Sequence, residues 1–190
     1  MATTQPIRQS HHIRRLAGYY LQRGQLRNHL LVVMGVGTAL RISDLLRVTW
    51  DDVYDFYNAR VRESFSIKEG KSGKTKIVSL NRRVVAALTL FAAQAARRGR
   101  LLMENPLTGR AISRVQAYRI IRAAGEITGI GRVSCHSLRK TFGYHAWKSG
   151  VSPAVIVEIY NHSSLAITRQ YLGVSQDDQN EVYQKMSDLF

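Results

Sequence analysis

Apolar residues recur at helical spacing along most of this chain and at strand spacing in one region, between residues 53 and 80. That order restricts the fold to a mainly α class with a small antiparallel β-sheet inserted early (α+β). Residues 11–22 put Ile13, Leu16, Ala17 and Tyr20 on one face, with Ser10 as the expected N-cap. Residues 26–37 make a second helix, and its nearly unbroken Leu30, Leu31, Val33 and Met34 predict deep burial. A short helix resumes around Ile42–Leu46. Val53–Tyr57 and Arg60–Ile67 read as strands, and Lys74–Leu80 as a returning strand. The Gly- and Lys-rich KEGKSGK between the last two is a turn, so a hairpin or a three-stranded sheet is expected.

Helical spacing then returns. An Ala-rich helix is predicted from Arg82 to Arg98, a turn at ENPLTG (104–109), and a helix capped by Ser113 running to Ala124. Further helices are expected over Ser137–Lys148, from Ser152-Pro153, from Ser163 or Ser164 to Tyr171, and over 177–189. The last has an acidic start and apolar Val182, Met186 and Leu189. One domain suits 190 residues. Residues 1–24 read as an arm or first helix and 25–190 as the body.

The charge is lopsided. Of 28 Lys and Arg, 19 lie between Arg60 and Lys148 beside only four acids, and the remainder of the chain is neutral, so this stretch carries the whole net charge of +15. Such density favours a polyanion, and nucleic acid is the first expected partner. A membrane surface would ask for a basic helix with a strong apolar side, and none stands out. No run of 18 apolar residues occurs, and the N-terminus is polar where a signal peptide needs an apolar stretch. A single cysteine excludes an internal disulfide framework and a thiolate zinc cluster, and His11-His12 lacks further ligands nearby. A soluble, cytoplasmic protein without cofactor or metal is expected.

Metal-free chemistry at a phosphodiester needs cations for the non-bridging oxygens, a nucleophile, and a proton donor for the leaving oxygen. Arg41 lies in GTALRISDLL, where Asp44 three residues on could brace it. His136 and Arg139 share one face of a helix in HSLR. Tyr171 follows His162 in NHSSLAITRQY, and a tyrosine hydroxyl can hold a phosphoryl group as an ester. His145, Trp50, Trp147 and Cys135 read as packing residues.

GTALRISDLL, KSGK, HSLRKTF and NHSSLAITRQY together resemble the tyrosine recombinase, or phage integrase, family over residues 25 to 175. The resemblance implies a catalytic set of Arg41, Lys71 (Lys74 the fallback), His136, Arg139, His162 and the nucleophile Tyr171. Asp44 stands where glutamate is usual, Lys140 where histidine is common, and Asn161 where glycine precedes the histidine; asparagine tolerates left-handed backbone. It implies attack of Tyr171 on duplex DNA, a 3′-phosphotyrosyl link and a released 5′-hydroxyl, with neither ATP nor metal. Lys74, Lys76, Arg82, Arg83, Arg110, Arg114, Arg119 and Lys140 are candidate DNA contacts, within a wider set that includes Arg97, Arg98, Arg100 and Arg122.

Double-stranded DNA is the implied partner and the nucleoid the implied place of action. The implied assembly is a homotetramer on DNA from a monomer or weak dimer, with accessory DNA-bending proteins possible. Residues 177–190 are expected to dock on a neighbouring protomer or on their own body. Relatives typically carry a further N-terminal helical domain, so a short family member and the catalytic part of a longer enzyme both fit. Relaxation of supercoiled DNA by a type IB topoisomerase-like reaction, and catalytically silent DNA binding, are the competing readings.

Overall fold

A computed structural model describes residues 4–95, 100–174 and 176–189. The helices are α1 (Ser10–Leu21), α2 (Leu26–Gly37), α3 (Ile42–Leu45), α4 (Trp50–Val53), α5 (Arg82–Ala95), α6 (Arg114–Ile127), α7 (Cys135–Lys148), α8 (Pro153–Tyr160), α9 (Leu165–Leu172) and α10 (Gln176–Lys185). Among the described residues, the strands make three separate antiparallel pairs: β1 (Tyr54–Asp55) with β2 (Arg60–Val61), β3 (Ser64–Lys68) with β4 (Thr75–Ser79), and β5 (Glu104–Asn105) with β6 (Arg110–Ala111). The mainly helical class with small antiparallel sheets is as expected, and of the two arrangements expected for residues 53–80 the hairpin is found, as β3–β4, with β1–β2 a separate pair. The Val53–Tyr57 segment gives its first residue to α4, because Thr49 and Asp52 form a capping box that starts a helical turn there. ENPLTG is the tip of the β5–β6 hairpin. Arg97 and Arg98 lie outside the described residues.

Helix α2 is the central beam. It packs against α1, α5 and α7, and Leu30, Leu31, Val32 and Met34 are almost wholly buried. Gly35 allows α7 to come close, since a Cβ there would lie 2.6 Å from Leu138 Cδ1. Ile7, Leu16 and Tyr20 are buried in the same core, so the segment before residue 25 is packed into the body. Helix α1 starts one residue earlier than its cap was expected. Gln9 is the N-cap, without a side-chain bond, and Ser10 instead accepts from Arg14.

The other caps follow local chemistry. Ser113 and Ser134 form capping boxes for α6 and α7, Ser164 caps α9, and Ser152 with Pro153 opens α8. Helix α8 ends at Asn161, whose φ of 51° is left-handed. A second, smaller core of Ala39, Ile156, Tyr160 and Leu172 sits beneath α7, α8 and α9. At its centre the Tyr160 hydroxyl donates to the Arg139 carbonyl (2.5 Å) and accepts from the Gly143 N–H (2.8 Å).

A Cβ on Gly143 would fall within 3.0 Å of the Tyr160 ring. Gly143→Ala is therefore expected to lower stability by about 1–3 kcal/mol through overpacking. Urea unfolding followed by circular dichroism measures it, and an unchanged midpoint would refute this packing.

Candidate active site

Arg139, on α7, is 1 % exposed and is among the largest fully buried side chains. Its Nη1 donates to the Ala39 carbonyl and its Nη2 to the Tyr160 carbonyl at 2.9 Å. The guanidinium lies over two rings, 4.5 Å from the centroid of Tyr160 and 5.9 Å from that of Tyr171. Ala39 adopts a left-handed φ of 55°, a conformation that costs an L-residue roughly 1–2 kcal/mol. This turn sits two residues before Arg41, at the start of α3. Burial and the nearby charge of Arg41 both pull the Arg139 pKa down, so the two arginines share one electrostatic environment.

Around them the rings converge. The centroid of Tyr171 lies 4.8 Å from that of His136 and 4.5 Å from that of His162. His162 follows the left-handed Asn161, which turns the chain back over the site, and its Nδ1 is 2.9 Å from Thr168 Oγ1. Burial first, then Arg139 and Arg41, lowers the His162 pKa to about 4. Desolvation by surrounding protein, then Lys140, Arg139 and Arg41, lowers that of His136. Lys140, itself buried, points its ammonium at the Tyr171 ring, 5.6 Å from the centroid. Lys140 therefore belongs to this cluster.

The hairpin β3–β4 supplies another cation. Lys71 and Lys74 are exposed on its turn. Lys76, on β4, reaches inward instead and donates to the Ile159 carbonyl at 3.0 Å. Burial, then Arg139, lowers its pKa to about 8. Its position in KTKIVSL is the outward-inward alternation of a strand, but which face meets α8 is decided by packing.

Two carboxylates hold the hairpin in place. Glu69 is buried; its Oε2 accepts from Ser72 (2.8 Å) and Asn161 (3.2 Å) and lies 2.8 Å from Arg41 Nη1. Asp44, expected beside Arg41, instead accepts at Oδ1 from Gly70 N–H (2.9 Å) and Arg47 (2.8 Å). Arg47 also binds the Lys68 carbonyl. The carboxylate that braces Arg41 is thus Glu69, 28 residues away in sequence, with no local motif to mark it.

The cluster so assembled contains Arg41, Arg139, Lys76, Lys140, His136, His162 and Tyr171, with the carboxylate of Glu69 at Arg41 and that of Asp44 near Lys76. Arg139 Nε is buried and has no hydrogen-bond partner among the described residues, while Arg41 Nη1 is ion-paired with Glu69. Such donors in a partly desolvated pocket suit an anion with several oxygens, and phosphate is the natural fit. Arg82, Arg83, Arg110, Arg114 and Arg119 lie outside the cluster on exposed surface, and Arg122 pairs with Glu126 at 2.8 Å. His145 plays a packing role, its Nε2 2.9 Å from the Ile7 carbonyl. Trp50 is in the core, and burial raises the Cys135 pKa to about 11. Among the described residues no group of three or more His, Cys, Asp or Glu could hold a metal, and no helix is long and apolar enough to cross a membrane.

A mainly helical domain with two arginines, two histidines and a tyrosine gathered in this way is that of a tyrosine-type recombinase. Residues 9–177 match the phage integrase family, and the chain belongs to that family. It is 33 % identical over 189 residues to the probable integrase/recombinase YoeC of Bacillus subtilis (strain 168), covering the full length of both. It is 30 % identical over 168 residues to the tyrosine recombinase XerD of Mycobacterium leprae, covering 83 % of this chain and 51 % of that one. The chain thus spans about half the length of the Xer relatives it matches. The fold matches the crystal structure of XerA recombinase with a TM-score of 0.77 at 23 % identity, covering 97 % of this chain and 66 % of that one. It also matches XerH bound to a palindromic difH substrate in a post-cleavage complex, with a TM-score of 0.75 at 19 % identity, covering 96 % and 53 %.

Burial by itself would raise the Glu69 pKa, but the bonds from Ser72, Asn161 and Arg41 hold it below the ordinary 4.5. A depressed carboxylate stabilises the fold fully above its unfolded pKa and loses that contribution as pH falls through the folded one. Wild type and Glu69→Gln are therefore expected to differ in stability by a constant amount above about pH 5 and by less below pH 4.5. Denaturant unfolding across pH 3–7 tests this; a gap that widens on acidification would overturn the assignment.

Proposed function

We propose that this chain acts as a site-specific DNA recombinase, cutting and rejoining duplex DNA through a 3′-phosphotyrosyl intermediate. The observation that carries the reading is the convergence of Tyr171, His136 and His162 on Arg139, with Arg41 in the same field. The excess of positive charge gives the cluster its need for a phosphate. The Tyr171 oxygen attacks phosphorus, the bond to the 5′-oxygen breaks, and the bond energy stays in the new ester. A 5′-hydroxyl later reverses the step, so no external energy source enters the balance.

Each group has a role that its surroundings favour. Arg41 and Arg139 stabilise the charge of the pentacoordinate transition state, each worth about 3 kcal/mol or more. His136, with its lowered pKa, takes the tyrosine proton or shuttles it, and His162 donates to a phosphate oxygen. Among the hairpin lysines we assign protonation of the leaving 5′-oxygen to Lys76, because a half-buried ammonium beside Arg139 gives up its proton more readily than an exposed one. Lys71 and Lys74, on the exposed turn, are the alternatives. The surface arginines Arg82, Arg83, Arg110, Arg114 and Arg119 serve the DNA backbone, with nucleoid DNA in the cytoplasm as the substrate.

Assembly on DNA follows from the C-terminus. The start of α10 is tied to its own body, with Lys148 bound to Asp178 and Glu181. Its outer face leaves Val182, Tyr183 and Met186 exposed. A groove of about 1030 Å³ between α1, α2, α5 and α7 is lined by Ile13, Leu21, Val36 and Leu90 with Arg82 and Arg83 among its walls. The exposed apolar side chains of this C-terminal segment suit that groove on a second copy, consistent with a homotetramer around two duplexes.

Duplex oligonucleotides carrying a nick next to the scissile phosphate should trap a covalent protein–DNA adduct, absent with Tyr171→Phe. An adduct that persists with Tyr171→Phe would remove Tyr171 as the nucleophile, and relaxation of plasmids lacking any specific site would favour the topoisomerase-like reaction. Lys76→Met is expected to slow adduct formation about 10²–10³-fold. A bridging sulfur at the 5′-leaving position, which needs no proton, should restore most of the rate. On ordinary DNA the wild-type rate should fall as pH rises above about 8, because only the ammonium form donates. Equal rescue by sulfur in Lys71→Ala but not in Lys76→Met would move the role to Lys71.

A further inference from the structure

We propose that residues 5–8 form a strap that sets the position of the tyrosine-bearing helix, with Arg8 as the positioning residue; this rests on Tyr171 being the nucleophile. The strap is anchored on α7. Ile7 N–H donates to Thr141 Oγ1 at 2.8 Å, and His145 Nε2 lies 2.9 Å from the Ile7 carbonyl. Thr141 is two residues beyond Arg139 on that helix, so the anchor shares a rigid element with His136 and Arg139. The Ile7 side chain is 4 % exposed and fixes the segment in the core.

From this anchor the strap reaches the other side of the site. Helix α9 has only eight residues and ends at Leu172, directly after Tyr171, with Gly173 as its left-handed C-cap (φ 61°). A short helix leaves its last carbonyls without internal partners. Arg8 Nη2 donates to the Gly173 carbonyl at 2.7 Å, placing a positive charge at the negative end of the helix. The other arm of the same fork, Nη1, lies 3.6 Å from Asp178 Oδ2 at the start of α10, and the guanidinium lies 5.4 Å from the centroid of the Tyr144 ring, which supports it from below. Contact is tight: a Cβ on Gly173 would lie 3.1 Å from Pro6 Cδ. One planar fork thus ties the end of the tyrosine helix and the start of α10 to the helix that carries Arg139. The contacts described between Tyr171 and α7 are ring contacts with His136, Arg139 and Lys140, so its distance from a bound phosphate depends on where α9 ends.

The test separates positioning from packing. Arg8→Ala and Arg8→Lys are compared with Leu88→Ala, which removes a buried side chain on α5 remote from the site. Three quantities are read: the single-turnover rate of adduct formation on nicked duplex, the equilibrium affinity for that DNA, and the thermal midpoint. Arg8→Ala is expected to slow adduct formation about 10- to 100-fold with DNA affinity within about twofold, because misplacement by an ångström has effects of that order. Arg8→Lys, which keeps a charge but loses the two-armed fork, should fall between. Leu88→Ala should lose thermal stability and keep the wild-type rate well below its midpoint. A wild-type rate in Arg8→Ala overturns the proposal, as does a loss of rate in Leu88→Ala equal to that in Arg8→Ala. No adduct with wild-type protein removes the nucleophile assignment itself and this proposal with it.

Discussion

The interaction on which the site depends is the burial of Arg139 between two backbone carbonyls. A guanidinium cannot be left dry without partners, because an unpaired buried charge is unfavourable by several kcal/mol. Arg139 meets that demand with Ala39, at the end of α2, and Tyr160, at the end of α8. Each of those chain segments then continues directly into a residue of the cluster, Arg41 on one side and His162 on the other. Satisfying one buried cation therefore fixes three parts of the chain at once. The left-handed turn at Ala39 is the local strain that this arrangement holds in place.

Gathering so many cations works against stability, and the structure offsets it in a specific manner. Glu69 lies against Arg41, takes a hydrogen bond from Asn161 beside His162, and holds Ser72 in the hairpin turn. Asp44 secures the same turn through Gly70 and Arg47. The acids thus neutralise part of the charge and at the same time lock the hairpin that carries Lys76. They leave Arg139 Nε without a partner among the described residues. An anion there would complete that bond, so the same electrostatic deficit that weakens the free fold favours a polyanion.

Much of this was legible locally. Helix starts at Ser113, Ser152 and Ser164 follow from hydroxyls that can reach free backbone N–H groups, and burial of α2 follows from its unbroken apolar run. Asn161 could be read as tolerant of left-handed backbone, and the structure uses it so. Other features were not legible. Ser10 looks like a cap, yet the helix begins at it because Gln9 can end the extended strap. The early strands could make a hairpin or one sheet; they make two separate pairs, and the capping box at Thr49 draws Val53 into a helical turn. Asp44 is the acid nearest to Arg41 in sequence, but Glu69 is the one nearest in space.

The order of hydrophobic periods, the clustered positive charge and the four motif segments by themselves determined the class of fold, the polyanionic partner and the identity of the arginines, histidines and tyrosine at the centre. Those properties live in residue type and short spacing, which the chain carries with it before it folds. Tertiary structure alone decided which carboxylate faces Arg41, which of four hairpin lysines turns inward, and that the residues before α1 brace the end of the tyrosine helix. Each of these depends on the facing of a strand or the meeting of segments up to 165 positions apart, as Arg8 meets Gly173. No local pattern encodes such a meeting, because it arises only when the whole core has packed.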